Sequence, residues 1–143
     1  MSVSLRAMRG ETLRYILVKV KEDAPTVFGL DKVDMSKPIS VVEGPIDSLF
    51  LENSIACSGT AFNKIEELGI DRDKITIIFD NQPRNKEVVK LVEKYVEMDY
   101  NVVIWPSPLT QKDINDMVND GIDVSDVITC NTHSGLSAKF LLN

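Results

Sequence analysis

The stretch Ile39-Ser-Val-Val-Glu43-Gly-Pro-Ile-Asp47 decides the fold, and Ile75-Thr-Ile-Ile-Phe-Asp80-Asn-Gln-Pro83 repeats its plan. Each is a short apolar run, typical of a strand that is buried on both faces, and each ends in a carboxylate. The carboxyl ends of parallel strands meet at one edge of a sheet, which is where ligands bind in open α/β folds. Glu43 and Asp80 are therefore the first candidates for chemistry.

The rest of the chain alternates between strand and helix patterns. Short apolar runs predict strands, and apolar residues at helical spacing predict helices. The predicted strands are 39–43, 54–57, 74–79 and 101–105, and the predicted helices are 45–51, 61–68, 84–98, 114–118, 124–128 and 135–142. This alternation predicts an α/β fold with a mostly parallel central sheet and helices on both faces.

At 143 residues the chain is about one domain long. A strand pattern at 13–20, a turn at 22–25 and a return at 26–28 predict a β-hairpin before the core, as an addition to the sheet. The predicted divisions are 1–35 for an N-terminal basic hairpin extension, 36–122 for the core and 123–143 for a C-terminal helical tail.

Charge is distributed unevenly along the chain. The net charge is −6, yet residues 1–21 carry five basic side chains against the single acid Glu11. This asymmetry indicates either a basic arm for nucleic acid on an acidic body that collects divalent cations, or simply a basic strand face on an acidic protein.

No apolar run is long enough to span a bilayer, and the N-terminus lacks the apolar segment of a signal peptide. We therefore expect a soluble protein in the cytoplasm with no membrane partner. The two cysteines, Cys57 and Cys130, are expected to be buried or incidental thiols, because neither lies in the close Cys/His spacing of a zinc site.

Acidic residues follow three of the four core strands, since Asp113 and Asp116 come after 101–105. Carboxylate oxygens suit Mg²⁺ or Mn²⁺, which need few protein ligands and keep positions for water and substrate phosphates. A bound divalent ion neutralises charge on a transferring phosphoryl group. The residues thus predict a metal site that acts on phosphodiesters.

Structural alternatives to these roles remain open. An acid such as Glu43 is favourable near a helix N-terminus, and Asp113 and Asp116 are typical of a helix start. Asp80-Asn-Gln-Pro83 is also suited to an ordinary turn. Trp105, at a strand end, is expected in the core.

At these residues the chain resembles the Toprim domain, a metal-binding fold shared by primases, type IA and type II topoisomerases and certain nucleases. Val41-Val-Glu43-Gly-Pro-Ile-Asp47 is similar to its strand ending in Glu-Gly, and Lys112-Asp113-Ile-Asn-Asp116 resembles the acidic segment of primases. The second element, a strand ending in Asp-x-Asp, differs because Gln82 stands where the second aspartate belongs. Its neutral oxygen implies weaker metal binding at that ligand.

The chain is similar to the DNA primases of large tailed bacteriophages over roughly residues 10–140. The segments that carry this similarity are Glu-Gly-Pro-Ile-Asp-Ser-Leu-Phe, Phe-Asp-Asn-Gln-Pro-Arg-Asn-Lys-Glu and Val-Ile-Trp-Pro. The resemblance implies a catalytic core that joins ribonucleotides on a single-stranded DNA template with Mg²⁺ or Mn²⁺, in the host cytoplasm. It also leaves open a small Toprim nuclease, or a non-catalytic module for nucleic-acid binding or replisome assembly. The implied partners are a replicative helicase or a separate zinc-binding primase subunit, because this sequence has no Cys/His cluster.

The resemblance also implies roles for particular residues. The predicted catalytic residues are Glu43 and Asp80. The predicted metal ligands are Glu43, Asp80, Gln82, Asp113 and Asp116, and the residues predicted to contact nucleic acid or nucleotide are Arg84, Lys86 and Lys112.

Overall fold

A computed structural model of the chain describes residues 2–6, 15–19, 26–57 and 59–143. The strands are β1 (Ser2–Arg6), β2 (Tyr15–Lys19), β3 (Val27–Phe28), β4 (Ile39–Val42), β5 (Ser54–Cys57), β6 (Ile75–Ile78), β7 (Asn101–Val103) and β8 (Thr132–His133). The α-helices are α1 (Pro45–Ser48), α2 (Lys86–Glu97), α3 (Ile114–Asn119), α4 (Val124–Asn131) and α5 (Gly135–Leu142), and 3₁₀ helices cover Gly59–Leu68 and Arg72–Lys74.

A six-stranded sheet in the order β3-β5-β4-β6-β7-β8 forms the centre of the fold. Its four inner strands are the four predicted from the sequence, and all of them run parallel. The two outer strands, β3 and β8, are antiparallel additions of two residues each, so the sheet is mixed. The register pairs Val42 with Ile78, which brings the carboxyl ends of β4 and β6 side by side.

Successive residues of the inner strands enter two separate cores, because side chains alternate across a sheet. Val41 and Ile77 belong to one core, which also contains Tyr95 of α2 and Ala138 of α5. Val42 and Ile78 belong to the other, which contains residues of α3 and α4 such as Met117. Helices therefore cover both faces of the sheet, as predicted.

The N-terminal strands pair differently from the prediction. β2 forms an antiparallel two-stranded sheet with β1, in a register that places Ser4 opposite Leu17. Residues 26–28 do not return along β2, because β3 pairs with β5 at the edge of the central sheet. The predicted turn at 22–25 lies outside the described residues. A strand pattern shows that a segment is extended but does not specify its partner, which explains the wrong pairing.

Local signals place most helix boundaries. Asn85 caps α2 by accepting a hydrogen bond from the Glu87 N–H, and Asp123 caps α4 in the same way with Asp126. Residues 59–68 form a 3₁₀ helix rather than the predicted α-helix. None of the helices in the described part of the chain has the length and apolar character needed to cross a membrane.

The two cysteines differ in environment. Cys57 is buried, and burial raises the pKa of its thiol to about 12. Cys130 is exposed. A buried thiol of high pKa is inert, which agrees with the structural role expected for Cys57.

Candidate functional site

A narrow crevice opens at the carboxyl ends of β4 and β6. Four acidic residues line it, namely Glu43, Asp47, Asp80 and Asp113, together with Trp105 and apolar strand residues. The parallel register explains the meeting of Glu43 and Asp80, because they follow neighbouring strands by one and two residues. Of the predicted site residues, the structure brings Glu43, Asp80 and Asp113 to this one crevice.

Glu43 is partly buried, directly beside Asp80. Its Oε2 lies 3.5 Å from the backbone N–H of Asp80, which donates a long hydrogen bond. Burial raises the pKa of Glu43, and the negative charge of Asp80 raises it further; the Asp80 N–H and the Lys112 ammonium act in the opposite direction. A carboxyl group with a raised pKa can accept and release a proton closer to neutral pH.

Asp80 is held by two donors. Its Oδ2 lies 3.3 Å from Nζ of Lys112 and 3.2 Å from Nε2 of Gln82. Asp80 is 21% exposed and Lys112 58% exposed, so water partly screens this ion pair. The Asp80 charge is the main cause of a raised pKa at Lys112, which keeps the ammonium protonated beside the carboxylate.

Asn81 joins the loop after β6 to the loop before α3. Its backbone N–H donates to the carbonyl oxygen of Lys112 at 2.6 Å. Its side-chain Nδ2 donates to the carbonyls of Leu109 and Gln111 at 2.8 and 2.9 Å. These three bonds fix residues 109–112 against the end of β6 and thereby bring Lys112 to Asp80. Sequence reasoning missed Asn81, although an asparagine in a loop is a frequent partner of backbone groups.

Asp113 and Asp116 occupy different places. Asp113 lines the crevice and also caps α3, because its Oδ1 accepts from the Asp116 N–H at 2.9 Å. Asp116 is exposed and lies with Lys112 and Asp120 around a shallow depression outside the crevice. The structure thus brings Asp113, but not Asp116, to Glu43 and Asp80.

Gln82 does not line the crevice but lines an adjoining groove. Its Nε2 donates to Asp80, and its Oε1 accepts from Nδ2 of Asn85 at 3.1 Å. This orientation of the amide follows from the two neighbours, a carboxylate and an amide donor. The nitrogen, rather than the oxygen predicted to bind a metal, is therefore the atom directed at Asp80.

Asp47 was not among the predicted site residues, although it lies in the crevice. Its Oδ1 accepts from the Asn115 N–H at 2.9 Å and so links α1 to α3. A Cβ atom at position 44 would collide with the Asp47 carboxylate, which is the flexible end of its side chain and would have to move. Gly44 thus leaves room for the observed orientation of Asp47.

The remaining predicted contacts lie outside the crevice lining. Arg84 and Lys86 are exposed around the start of α2. In the basic N-terminal segment, Arg9, Arg14 and Lys21 lie outside the described residues.

The carboxylate groups of the crevice can be compared with the ligands that a divalent metal ion needs. Within the described residues, no three Asp, Glu, His or Cys side chains are grouped closely enough to hold a metal ion. The site therefore does not fit a cage built entirely from protein ligands. The adjacent carboxylates of Glu43 and Asp80 do fit a sparse Mg²⁺ or Mn²⁺ site, because such ions are often held by one or two carboxylates with water and substrate phosphates.

Comparison with known proteins finds a relative, a DNA primase. No family model matches the chain. The chain is 33% identical to the DNA primase of Enterobacteria phage T4 over an alignment of 135 residues, which covers 91% of this chain. The match covers 39% of that primase, so this chain spans about two fifths of its length. Similarity over nearly the whole chain supports a relationship to a bacteriophage DNA primase.

Proposed function

We propose that this chain is the Toprim-type catalytic core of a phage DNA primase, which joins ribonucleotides on single-stranded DNA with Mg²⁺ or Mn²⁺. The observation that carries the proposal is the contact between Glu43, whose pKa is raised, and Asp80, which is paired with Lys112. The similarity to the phage primase covers the segment that contains all three residues.

Glu43 is proposed as the general base. Its carboxylate would accept the proton of the attacking ribose 3′-hydroxyl, whose oxygen forms the new bond to the α-phosphorus as pyrophosphate leaves. The raised pKa of Glu43 suits this role, because a base is most effective when its pKa approaches the working pH.

Asp80 and Lys112 are proposed to arrange the phosphates. A Mg²⁺ or Mn²⁺ ion bound at Glu43 and Asp80 would neutralise charge on the transferring phosphoryl group. Lys112 already lies 3.3 Å from Asp80 and, being more than half exposed, can also contact a nucleotide phosphate. Asp113 lines the same crevice, whereas Gln82 and Asp116 are at most peripheral ligands in this arrangement. Arg84 and Lys86 are proposed contacts to the template.

The test is a primer-synthesis assay with labelled ribonucleotides, beside a nuclease assay on the same template. Glu43→Gln keeps the shape of the side chain and removes the base, whereas Glu93→Gln makes the same change on the exposed face of α2. We expect synthesis by the parent chain and by Glu93→Gln, but not by Glu43→Gln. Cleavage without synthesis would instead assign the site to a nuclease.

The chain spans only part of the primase that it matches, so the assay includes arms with a zinc-binding primase subunit and with a replicative helicase. These are the proposed protein partners. Synthesis only in their presence would make this chain one component of a primase.

A non-catalytic role in nucleic-acid binding or replisome assembly is the second candidate. It is favoured by the absence of a three-ligand acidic group in the described part of the chain. Template binding with neither synthesis nor cleavage in any arm would support this candidate and overturn the first.

A further inference from the structure

An apolar groove lies next to the acidic crevice and shares Phe79, Asp80 and Trp105 with it. Its volume is about 150 Å³. The other walls come mainly from the first two turns of α2, the end of β7 and the last residue of α5. They include Val88, Val89, Val92, Ile104 and Leu142. The groove is therefore an apolar surface that begins at a proposed catalytic carboxylate.

Trp105 packs against the core that contains Val42 and Ile78, as expected, but it is only partly buried. Its Nε1–H donates to the carbonyl oxygen of Phe79 at 2.8 Å, which fixes the indole at the boundary between crevice and groove. Because its N–H is already used, the indole offers the groove an aromatic surface rather than a donor. Such a fixed and accessible ring is suited to stacking with a planar ligand.

The rim of the groove is polar. Gln82 is held there by Asp80 and Asn85, each through one hydrogen bond. A glutamine amide has two N–H groups and two oxygen lone pairs, so one of each remains beyond these bonds. The amide can therefore donate to and accept from the edge of a heterocycle that enters the groove.

We infer that this groove binds the base of a nucleotide whose phosphates extend towards Asp80 and Lys112. That the ligand is a nucleotide rests on the proposed function, and the groove indicates where its base binds. A cavity of about 150 Å³ is smaller than the roughly 300–1,000 Å³ of clefts for drug-sized ligands, so it matches one ring system rather than a whole nucleotide. The shared walls place the base beside the site of phosphoryl chemistry. Gln82 then contacts the base rather than a metal.

Trp105 makes this inference directly measurable, because it is the only tryptophan of the chain. Its fluorescence is followed during titration with each of the four ribonucleoside triphosphates in Mg²⁺, corrected for nucleotide absorbance. Inorganic tripolyphosphate is the matched ligand that has phosphates but no base. We expect saturable changes with the nucleotides and none with tripolyphosphate.

A groove-filling variant tests the location. Val89→Phe adds an aromatic ring inside the groove, and Lys90→Phe adds the same ring at the next, exposed position of α2. We expect Val89→Phe to weaken nucleotide affinity by about tenfold or more, the scale of one stacked base, and Lys90→Phe to leave it unchanged. Cooperative thermal unfolding confirms that each variant is folded. If Val89→Phe is not, Val89→Leu takes its place with the same expectation in direction.

Several outcomes would overturn the inference. These are no fluorescence change with any nucleotide, an equal change with tripolyphosphate, or equal nucleotide affinity in the folded groove variant and the parent chain. Primer synthesis with any of these results would leave the proposed function standing and remove the base site. Saturable nucleotide binding that Val89→Phe weakens, without synthesis or cleavage, would keep the base site and remove the proposed function.

Discussion

The ends of β4 and β6 are neighbours in one parallel sheet, yet their carboxylates have different surroundings. Glu43 is partly buried next to another acid, and the pKa of its side chain is raised. Asp80 has an ammonium and an amide nitrogen within hydrogen-bonding distance of the same oxygen. Two neighbouring strand ends thus carry one carboxyl group whose pKa is raised by burial and one that is paired with an ammonium group.

The difference arises from a loop rather than from the strands. Asn81 bonds to three carbonyls of residues 109–112, and this places the Lys112 side chain beside Asp80. The Glu43 carboxylate accepts a long bond from the Asp80 N–H, while burial disfavours its charge. A substitution at the end of β4 should therefore affect mainly proton transfer, and one at the end of β6 should affect mainly metal binding.

The largest expected effect is the loss of activity in Glu43→Gln, by about a hundredfold or more, which is the usual scale for a general acid or base. Primer synthesis by the parent chain, by Glu43→Gln and by the exposed control Glu93→Gln checks this expectation. Parent-like turnover in Glu43→Gln would show that Glu43 carries no proton in the reaction.

A smaller effect is expected at the other strand end. Gln82→Asp adds a charged oxygen beside Asp80 and should tighten Mn²⁺ binding about tenfold, a scale typical of changes around a metal site. Isothermal titration measures the affinity, and Asn63→Asp supplies the same added charge at an exposed position of the 3₁₀ helix 59–68. Equal affinity in Gln82→Asp and the parent chain would mean that a charge placed next to Asp80 at position 82 has no effect at the metal.

The fold was largely predictable because its determinants are local. Apolar runs identified the four inner strands, and their order implied a parallel sheet. The sequence predicted a strand at β3 but not its partner, and it did not predict β8, since two residues cannot display an alternating pattern. Their positions depend on pairing with β5 and β7, which is long-range information.

The site was predictable only in part. Glu43, Asp80 and Asp113 could be identified because the carboxyl ends of parallel strands converge. The pairing of Lys112 with Asp80 could not, because it depends on how a loop distant in sequence packs against β6. The sequence placed Trp105 in the core, and it does pack against one, but its remaining exposure depends on long-range packing that the sequence does not show.

Removing the Lys112 charge tests the surroundings of Asp80. Lys112→Met keeps most of the apolar stem, loses the ammonium beside Asp80, and should tighten Mn²⁺ binding about two- to fivefold, the range of a partly exposed ion pair. Lys90→Met is the control on the exposed face of α2. The same titration at higher salt should show a smaller difference, because ions screen the pair. Unchanged or weaker binding in Lys112→Met would show that the ammonium does not compete with the metal for Asp80.

The smallest expected effect is on folding stability, and its sign follows from the raised pKa of Glu43. Folded Glu43 holds its proton to higher pH than unfolded Glu43, so the free energy of unfolding falls as pH rises from about the ordinary value of 4.5 through the folded pKa. Glutamine has no charge to bury, so Glu43→Gln should be more stable than the parent chain at neutral pH, with a difference that shrinks below this window. Urea unfolding at acidic and neutral pH, with Glu93→Gln as the exposed control, measures that difference. If the parent chain is at least as stable as Glu43→Gln at neutral pH, the neighbours of Glu43 compensate its charge fully. The proposed difference in surroundings between Glu43 and Asp80 would then have no effect on stability.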